Sequence, residues 1–315
     1  MTLLSTMDFQ NLILERDLDR CRFRGGRNRE KGLVRPEPDV LEELRGLYAV
    51  VSQAYQRAPG DPDFLITHGG RQYRVAYIKS EVFALRRAVT SVPRLAQCGI
   101  HPRIIEHLLG LRAGTVLFFG KFSTGKTTAA SAYLVEFVRR NGTLGLTLED
   151  PAELALEGDY DGGRIYQLSI RRSEIEEKTQ DIMRTNFDAL MVSEIRTPLM
   201  GQVIFQAGAA GRLVSSTGHG EKIPDGLNRL ISIAGGTNTS GEAGAQSNLN
   251  LLADSFQAAI LMEEVEPHRY GATSYLLRSN DVAACIRKGD FSALNNCIDM
   301  LMARLASRSA GPLVD

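Results

Sequence analysis

One octapeptide restricts this chain more than any other stretch of it. Gly120-Lys121-Phe122-Ser123-Thr124-Gly125-Lys126-Thr127 satisfies G-x-x-x-x-G-K-[ST] at every fixed position. On composition alone such a match arises on the order of once in a hundred chains of this length. Its neighbours supply what the pattern needs. Thr115-Val116-Leu117-Phe118-Phe119 is a short apolar run suited to a strand buried on both faces. Residues 126–140 read as a helix stopped by Asn141-Gly142. In such a strand–turn–helix unit the glycines let backbone N–H groups turn inward around a β-phosphate. Lys126 then places its charge between β- and γ-phosphates, the Thr127 hydroxyl can ligate Mg²⁺, and the helix dipole favours the anion.

A phosphate cradle of this kind belongs to a parallel sheet, and the residues after it alternate accordingly. Strand-like runs recur at Thr143–Leu148, Arg164–Leu168, Ala189–Val192 and Leu213–Ser216, with helical stretches between most of them. Thr197-Pro198 is a good N-cap and first-turn pair for one helix. The reading is an α/β domain with right-handed crossovers. Ala234–Ser247, with four glycines, reads as a mobile surface loop. Ahead of the cradle, Val40–Tyr55 carries apolar residues at helical spacing. The β-type runs Asp63–Thr67 and Tyr73–Ile78 flank His68-Gly69-Gly70, and Val82–Val89 could add a third strand. These define a smaller α+β domain over residues 1–94, followed by the α/β domain over 95–315. The first 35 residues show weak periodicity. Between Arg20 and Arg35 they hold seven bases against one acid, Glu30, and read as a loop or frayed arm.

Composition narrows the partners. The 37 basic side chains balance 37 acidic ones, which argues against a protein held to nucleic acid by overall basicity. None of Cys21, Cys98, Cys285 and Cys297 forms a C-x-x-C pair, so neither a zinc ribbon nor a thioredoxin-type site is readable. Acids at Asp8, Glu15 and Asp17 are unlike a signal peptide, and no run approaches the ~20 apolar residues of a membrane span. The chain reads as cytosolic and soluble.

Hydrolysis of a phosphoanhydride needs acids beside the cradle, one to hold the magnesium shell and one to orient or deprotonate water. Two acidic clusters lie at the C-terminal ends of expected strands, where a doubly wound sheet gathers its site. They are Thr147-Leu148-Glu149-Asp150-Pro151-Ala152-Glu153 and Val192-Ser193-Glu194-Ile195-Arg196. A third polar strand end, Ser216-Thr217-Gly218-His219, can sense a γ-phosphate, because a hydrogen bond to it exists only before cleavage.

These motifs, in this order, resemble the secretion and type IV pilus traffic ATPases, a superfamily of pilus motors, type II secretion ATPases and conjugation or type IV secretion ATPases. The resemblance runs from about Gly70 to Lys288. It implies that Gly120, Ser123, Thr124, Gly125, Lys126, Thr127 and Thr128 hold ATP and that Thr127 and Glu194 serve Mg²⁺. It makes Glu153 the general base, Glu194 the Walker B acid and His219 the histidine-box residue, with Arg184 on the family's arginine before Walker B. It also implies an N-terminal PAS-like domain joined to a RecA-like domain, six copies in a ring, and arginines of the first domain reaching the nucleotide. Arg71, Arg74, Arg86 and Arg87 are the candidates.

This sequence departs from the family at several points. Lys121 stands where Pro usually follows the first glycine, Ser193 replaces Gly before Glu194, and Arg212 replaces the first histidine of the histidine box. A four-cysteine zinc element and the arginine of the retraction motif are missing, which disfavours the type II and pilus-retraction branches. The expectation is an ATPase motor of a conjugation, type IV secretion or specialised pilus machine, peripheral at the inner membrane and docked on membrane-embedded platform components. The alternatives are a RecA-like nucleic-acid translocase, disfavoured by the thin aromatic content, and a non-hydrolysing nucleotide-dependent scaffold. The basic stretch would suit an acidic partner surface or an anionic leaflet.

Overall fold

The computed structural model describes the chain except residues 1–3, 5, 6, 8, 10, 25–31, 58–62, 88–91, 151, 171–173, 236–240, 267, 268, 308–312, 314 and 315. It divides into two compact units. One comprises Met1–Ser91 with Pro151–Ala155, the other Val92–Asp150 with Leu156–Asp315.

The first unit is one antiparallel sheet and a helix. Its strands are β1 (Asn11–Glu15), β2 (Arg22–Arg24), β3 (Leu33–Val34), β4 (Asp63–His68), β5 (Arg71–Lys79) and β6 (Val82–Arg87), in the order β3-β2-β1-β6-β5-β4. Helix α1 (Leu41–Arg57) buries Leu44, Leu47 and Val51 at helical spacing, in one core with Leu12, Leu14, Tyr73, Val75, Phe83 and Leu85. The alternation along β1, with Leu12 and Leu14 inward, is too short to stand out in the sequence. The basic stretch departs from the expected frayed arm at its described start. Arg22-Phe23-Arg24 is a strand whose single apolar residue, Phe23, packs on Phe9 with ring centroids 5.0 Å apart. Arg27, Arg29 and Lys31 lie outside the described residues.

The second unit is an eight-stranded sheet with helices. Helix α2 (Pro102–Gly110) precedes β7 (Gly114–Gly120), α3 (Lys126–Asn141), β8 (Leu144–Glu149), β9 (Gly158–Tyr160), β10 (Gly163–Ser169), α4 (Ile175–Arg184) and β11 (Ala189–Glu194). Then follow α5 (Pro198–Ala209), β12 (Leu213–His219), α6 (Ile223–Gly235), α7 (Gly241–Ser255), β13 (Phe256–Glu266), β14 (Arg269–Leu277), α8 (Asn280–Lys288) and α9 (Leu294–Ala306). The strand order is β14-β13-β7-β12-β11-β8-β10-β9. Strands β13 to β10 in that order pair in parallel, and the two edge strands are antiparallel to their neighbours. Every residue of β7 is buried, as its unbroken apolar run requires. Helix α3 is buried along much of its length and ends on Gly142 in the left-handed conformation. Thr197 caps α5 by accepting from the Met200 N–H at 3.3 Å, with Pro198 in the first turn.

Three parts differ from the sequence reading. The glycine-rich stretch expected as a loop is largely helix, since α6 runs to Gly235 and α7 starts at Gly241. Its small residues cost helix propensity, but tertiary burial of Asn248, Leu252 and Ala253 outweighs that cost. The β13–β14 hairpin and the two C-terminal helices also go beyond the alternation read from the sequence. The third is the segment Pro151–Ala155, which takes in the last three residues of the first acidic motif yet clusters with the first unit.

Phe256 opens β13 with no exposed surface and belongs to the main core. Phe256→Ala is expected to cost ~3–5 kcal/mol of stability through lost burial and the cavity left behind. Thermal unfolding at fixed protein concentration tests this, and an unchanged midpoint would contradict it.

Candidate functional site

In a parallel sheet all strand C-termini emerge on one edge, so strand order alone decides which loops meet. Here β7, β12, β11 and β8 are consecutive neighbours. The ends of these four strands carry, in turn, Gly120, His219, Glu194 and Glu149. Registers agree: His219 pairs with Gly120, and Glu194 with Thr217.

The loop from Gly120 to Lys126 is built for a close anionic ligand. Gly120 takes φ +152°, and a Cβ there would lie 2.2 Å from the Met262 carbonyl oxygen and 2.6 Å from Thr124 Oγ1. Only glycine fits. Gly125, at φ +83°, is the N-cap of α3, and Ser123 adopts φ +60° although it has a side chain. Lys126 is 8% exposed, and its Nζ donates to the Lys121 carbonyl at 2.5 Å. Thr124 Oγ1 donates to the same oxygen at 2.9 Å. A buried ammonium resting on a loop carbonyl at a helix N-terminus matches a phosphate oxygen in charge and hydrogen bonding, so the residues present fit a polyphosphate. Thr127 and Thr128 follow in the first turn of α3, both partly exposed.

Beside the loop stands a charged group that sequence position announced only in part. Glu194 Oε1 lies 2.8 Å from His219 Nε2, while its Oε2 accepts from Arg196 Nε at 2.9 Å. Thr217 Oγ1 donates to the Ser193 carbonyl, tying the two strand ends together. Burial pushes the His219 imidazole below its ordinary value; the Glu194 carboxylate opposes that shift, and Lys126 and Arg229 reinforce it. Phe122, 82% exposed, sets its ring 4.2 Å from that of His219. Lys121 Nζ pairs with Glu221 Oε1 at 3.1 Å. A cavity of about 670 Å³ opens here, lined by Gly120, Phe122, His219, Asp225 and Arg229 among others.

The other candidates stand elsewhere. Glu149 ends β8 fully buried and accepts from Gln167 Nε2 at 2.8 Å. Glu153 belongs to the first unit, where Arg74 Nη1 lies 3.5 Å from its Oε1. Arg71 opens β5, and Arg86 Nε donates to Asn11 Oδ1 at 3.4 Å. Arg87 donates to the Leu4 carbonyl and covers the Phe9 ring, so its guanidinium is committed within that unit. Arg184 is exposed at the end of α4, just before β11 begins. The neighbouring Thr185 carbonyl accepts from Arg212 at the start of β12. Arg184 is therefore at the sheet edge opposite the phosphate loop. Arg196, Arg229 and the Met262 carbonyl join the site beyond the residues expected from the sequence. Arg196 falls within the second acidic motif, whereas a backbone carbonyl leaves no residue-type signal.

A parallel sheet with a glycine-cradled lysine and a carboxylate–imidazole pair on adjacent strand ends defines a P-loop domain of RecA-like architecture. The model of the family described as "Type II/IV secretion system protein" matches residues 56–269, and the chain belongs to that family. It is 30% identical over 208 residues to the type II secretion system protein E of Aeromonas hydrophila, covering 59% of this chain and 39% of that protein. It is 25% identical over 213 residues to the type IV pilus ATPase PilU of Pseudomonas aeruginosa, covering 67% and 54%. The chain thus spans from about two fifths to about half the length of these relatives. Among solved structures, the pilus retraction motor PilT with bound ADP superposes with a TM-score of 0.72 at 18% identity, over 94% of this chain and 89% of that one. The ATPase DotB of Legionella pneumophila gives 0.69 at 16% identity, over 98% and 86%. These likenesses establish the fold: α/β, with a RecA-like domain and a smaller N-terminal α+β domain.

A histidine held neutral by burial makes the fold sensitive to acid. With the folded-state pKa below the ordinary 6.5, the folded chain binds fewer protons than the unfolded one, so stability is present above 6.5 and lost as pH falls. His107 is lowered by burial too, so a comparison of variants isolates His219. Between about pH 7.5 and about pH 5.5 the parent chain is expected to lose more of its thermal midpoint than His219→Gln does. Parallel losses would contradict the assignment.

Proposed function

We propose that the chain is an ATP-hydrolysing motor subunit, six copies of which form a ring driving a type IV secretion, conjugation or type IV pilus machine from the cytoplasmic face of the inner membrane. The reading rests above all on one observation: a buried Lys126 in a glycine cradle whose flanking strand ends bring Glu194 and His219 within 2.8 Å of each other. Membership of a family that spans type II and type IV systems supports the coarser reading, a secretion or pilus ATPase. The departures noted in the sequence incline it to the type IV side.

The residues divide the work. Lys126 exchanges the Lys121 carbonyl for phosphate oxygens, while loop N–H groups and the α3 N-terminus hold the rest of the charge. Thr127 and Glu194 offer the hydroxyl and carboxylate oxygens that suit Mg²⁺, which would supply charge neutralisation across the phosphates. His219, whose neutral form is favoured by burial, has one N–H to give, so donating it to a γ-phosphate oxygen means releasing Glu194, and that exchange reports whether the phosphate is still attached. Glu153 is proposed as the base, which requires its carboxylate to exchange Arg74 for the attacking water. Arg71, Arg86 and Arg184 are proposed as phosphate partners, Arg184 across a subunit boundary, since it stands away from the loop of its own chain.

Phosphate release and light scattering test enzyme and ring together. Lys126→Ala is expected to lose ATP binding and turnover. Glu194→Gln is expected to keep binding and lose turnover by on the order of 100-fold, the effect of removing a charged group that acts on the reacting phosphate. A Lys126→Ala protein that released phosphate at the parent rate would sink the proposal, and a parent that bound ATP without turnover would favour a scaffold.

Membrane recruitment is assigned to the basic stretch. Deleting residues 20–35 would remove β2 and the buried Phe23, so the informative variant replaces Arg27, Arg29 and Lys31 with Ala. It is expected to lose sedimentation with anionic vesicles while basal phosphate release is unchanged. Retained sedimentation would rule out this role.

A further inference from the structure

The catalytic groups occupy only one flank of the phosphate loop. Glu194 and His219 end β11 and β12, while on the other side of β7 lies β13, whose Met262 pairs with Gly120. A nucleotide whose γ-phosphate faces Glu194 and His219 must extend its base toward that second flank. There β13 continues past Met262 to Glu266 and returns as β14, with Tyr270 opposite Glu264. A Cβ built on Gly125 would lie 3.6 Å from the Tyr270 Cβ, so this side chain roots beside the first turn of α3. Tyr270 is 36% exposed and Val265 on the facing strand is 48% exposed. Both are large apolar side chains left open to solvent at the end of a hairpin whose other apolar residues, from Phe256 to Met262, are buried.

Resting on the nucleotide reading above, we propose that Tyr270 is the platform on which the purine base of the bound nucleotide stacks. A phenol ring offers a π-face with little rotamer entropy to lose, and base–aromatic stacking is indifferent to the phosphate chemistry on the opposite flank. The site thereby divides its recognition. The loop binds any polyphosphate, and the hairpin adds affinity only when a base is attached.

Calorimetric titration of the full chain in excess Mg²⁺, with ATP and with inorganic tripolyphosphate as separate probes, tests this division. Tyr270→Ala is expected to weaken ATP binding about tenfold and leave tripolyphosphate binding unchanged, with Tyr270→Phe behaving as the parent. Parent-like ATP binding by Tyr270→Ala overturns the proposal and leaves the nucleotide reading intact. Equal weakening of both probes also overturns it, because Tyr270 would then act by supporting the loop at Gly125. A parent chain that binds neither probe removes the nucleotide reading itself, and the proposal with it.

Discussion

Everything at the candidate site depends on strands that run parallel. Parallel pairing leaves no choice about where chain ends emerge, so β7, β12, β11 and β8 deliver their terminal residues to one edge in the order the hydrogen bonds dictate. The cradle and the Glu194–His219 pair are then neighbours because their strands are neighbours, without any long loop to bring them together. The same constraint moves Arg184 away: a residue that precedes a strand belongs to the opposite edge. Burial of β7 on both faces fixes the whole arrangement, since its seven residues can pack only in the middle of a covered sheet.

What the sequence disclosed tracks how local the determinants are. The phosphate loop is written in adjacent residues whose backbone conformation follows from their identity, above all at Gly120 and Gly125. Strands buried on both faces announce themselves as apolar runs, and Thr197-Pro198 announces a helix start. Elements held by tertiary contact were harder to read. Helix α7 has too few apolar residues for a clear period and folds because Leu252 and Ala253 find a core elsewhere in the chain. Strand β2 has one inward residue between two arginines, too short a pattern to separate from a charged loop.

The site shows the same division. Glu194 and His219 could be named from strand ends, but their pairing, and the hold of Arg196 on the same carboxylate, depend on register and rotamer. The first acidic motif illustrates the limit best. Five residues carry Glu149 into the interior against Gln167 and leave Glu153 with Arg74 in another unit. A run of acids in sequence gave no sign that its members would part.

The bond from Lys126 to the Lys121 carbonyl bears on how the loop would release an anion. A buried ammonium with nothing to hold would cling to any phosphate, since letting go would leave a desolvated charge. Here the loop carries its own substitute oxygen, so a departing phosphate is replaced at once by a peptide carbonyl. The loop thus gives up some tightness of grip and gains ease of emptying, which suits the hydrolytic cycle proposed above.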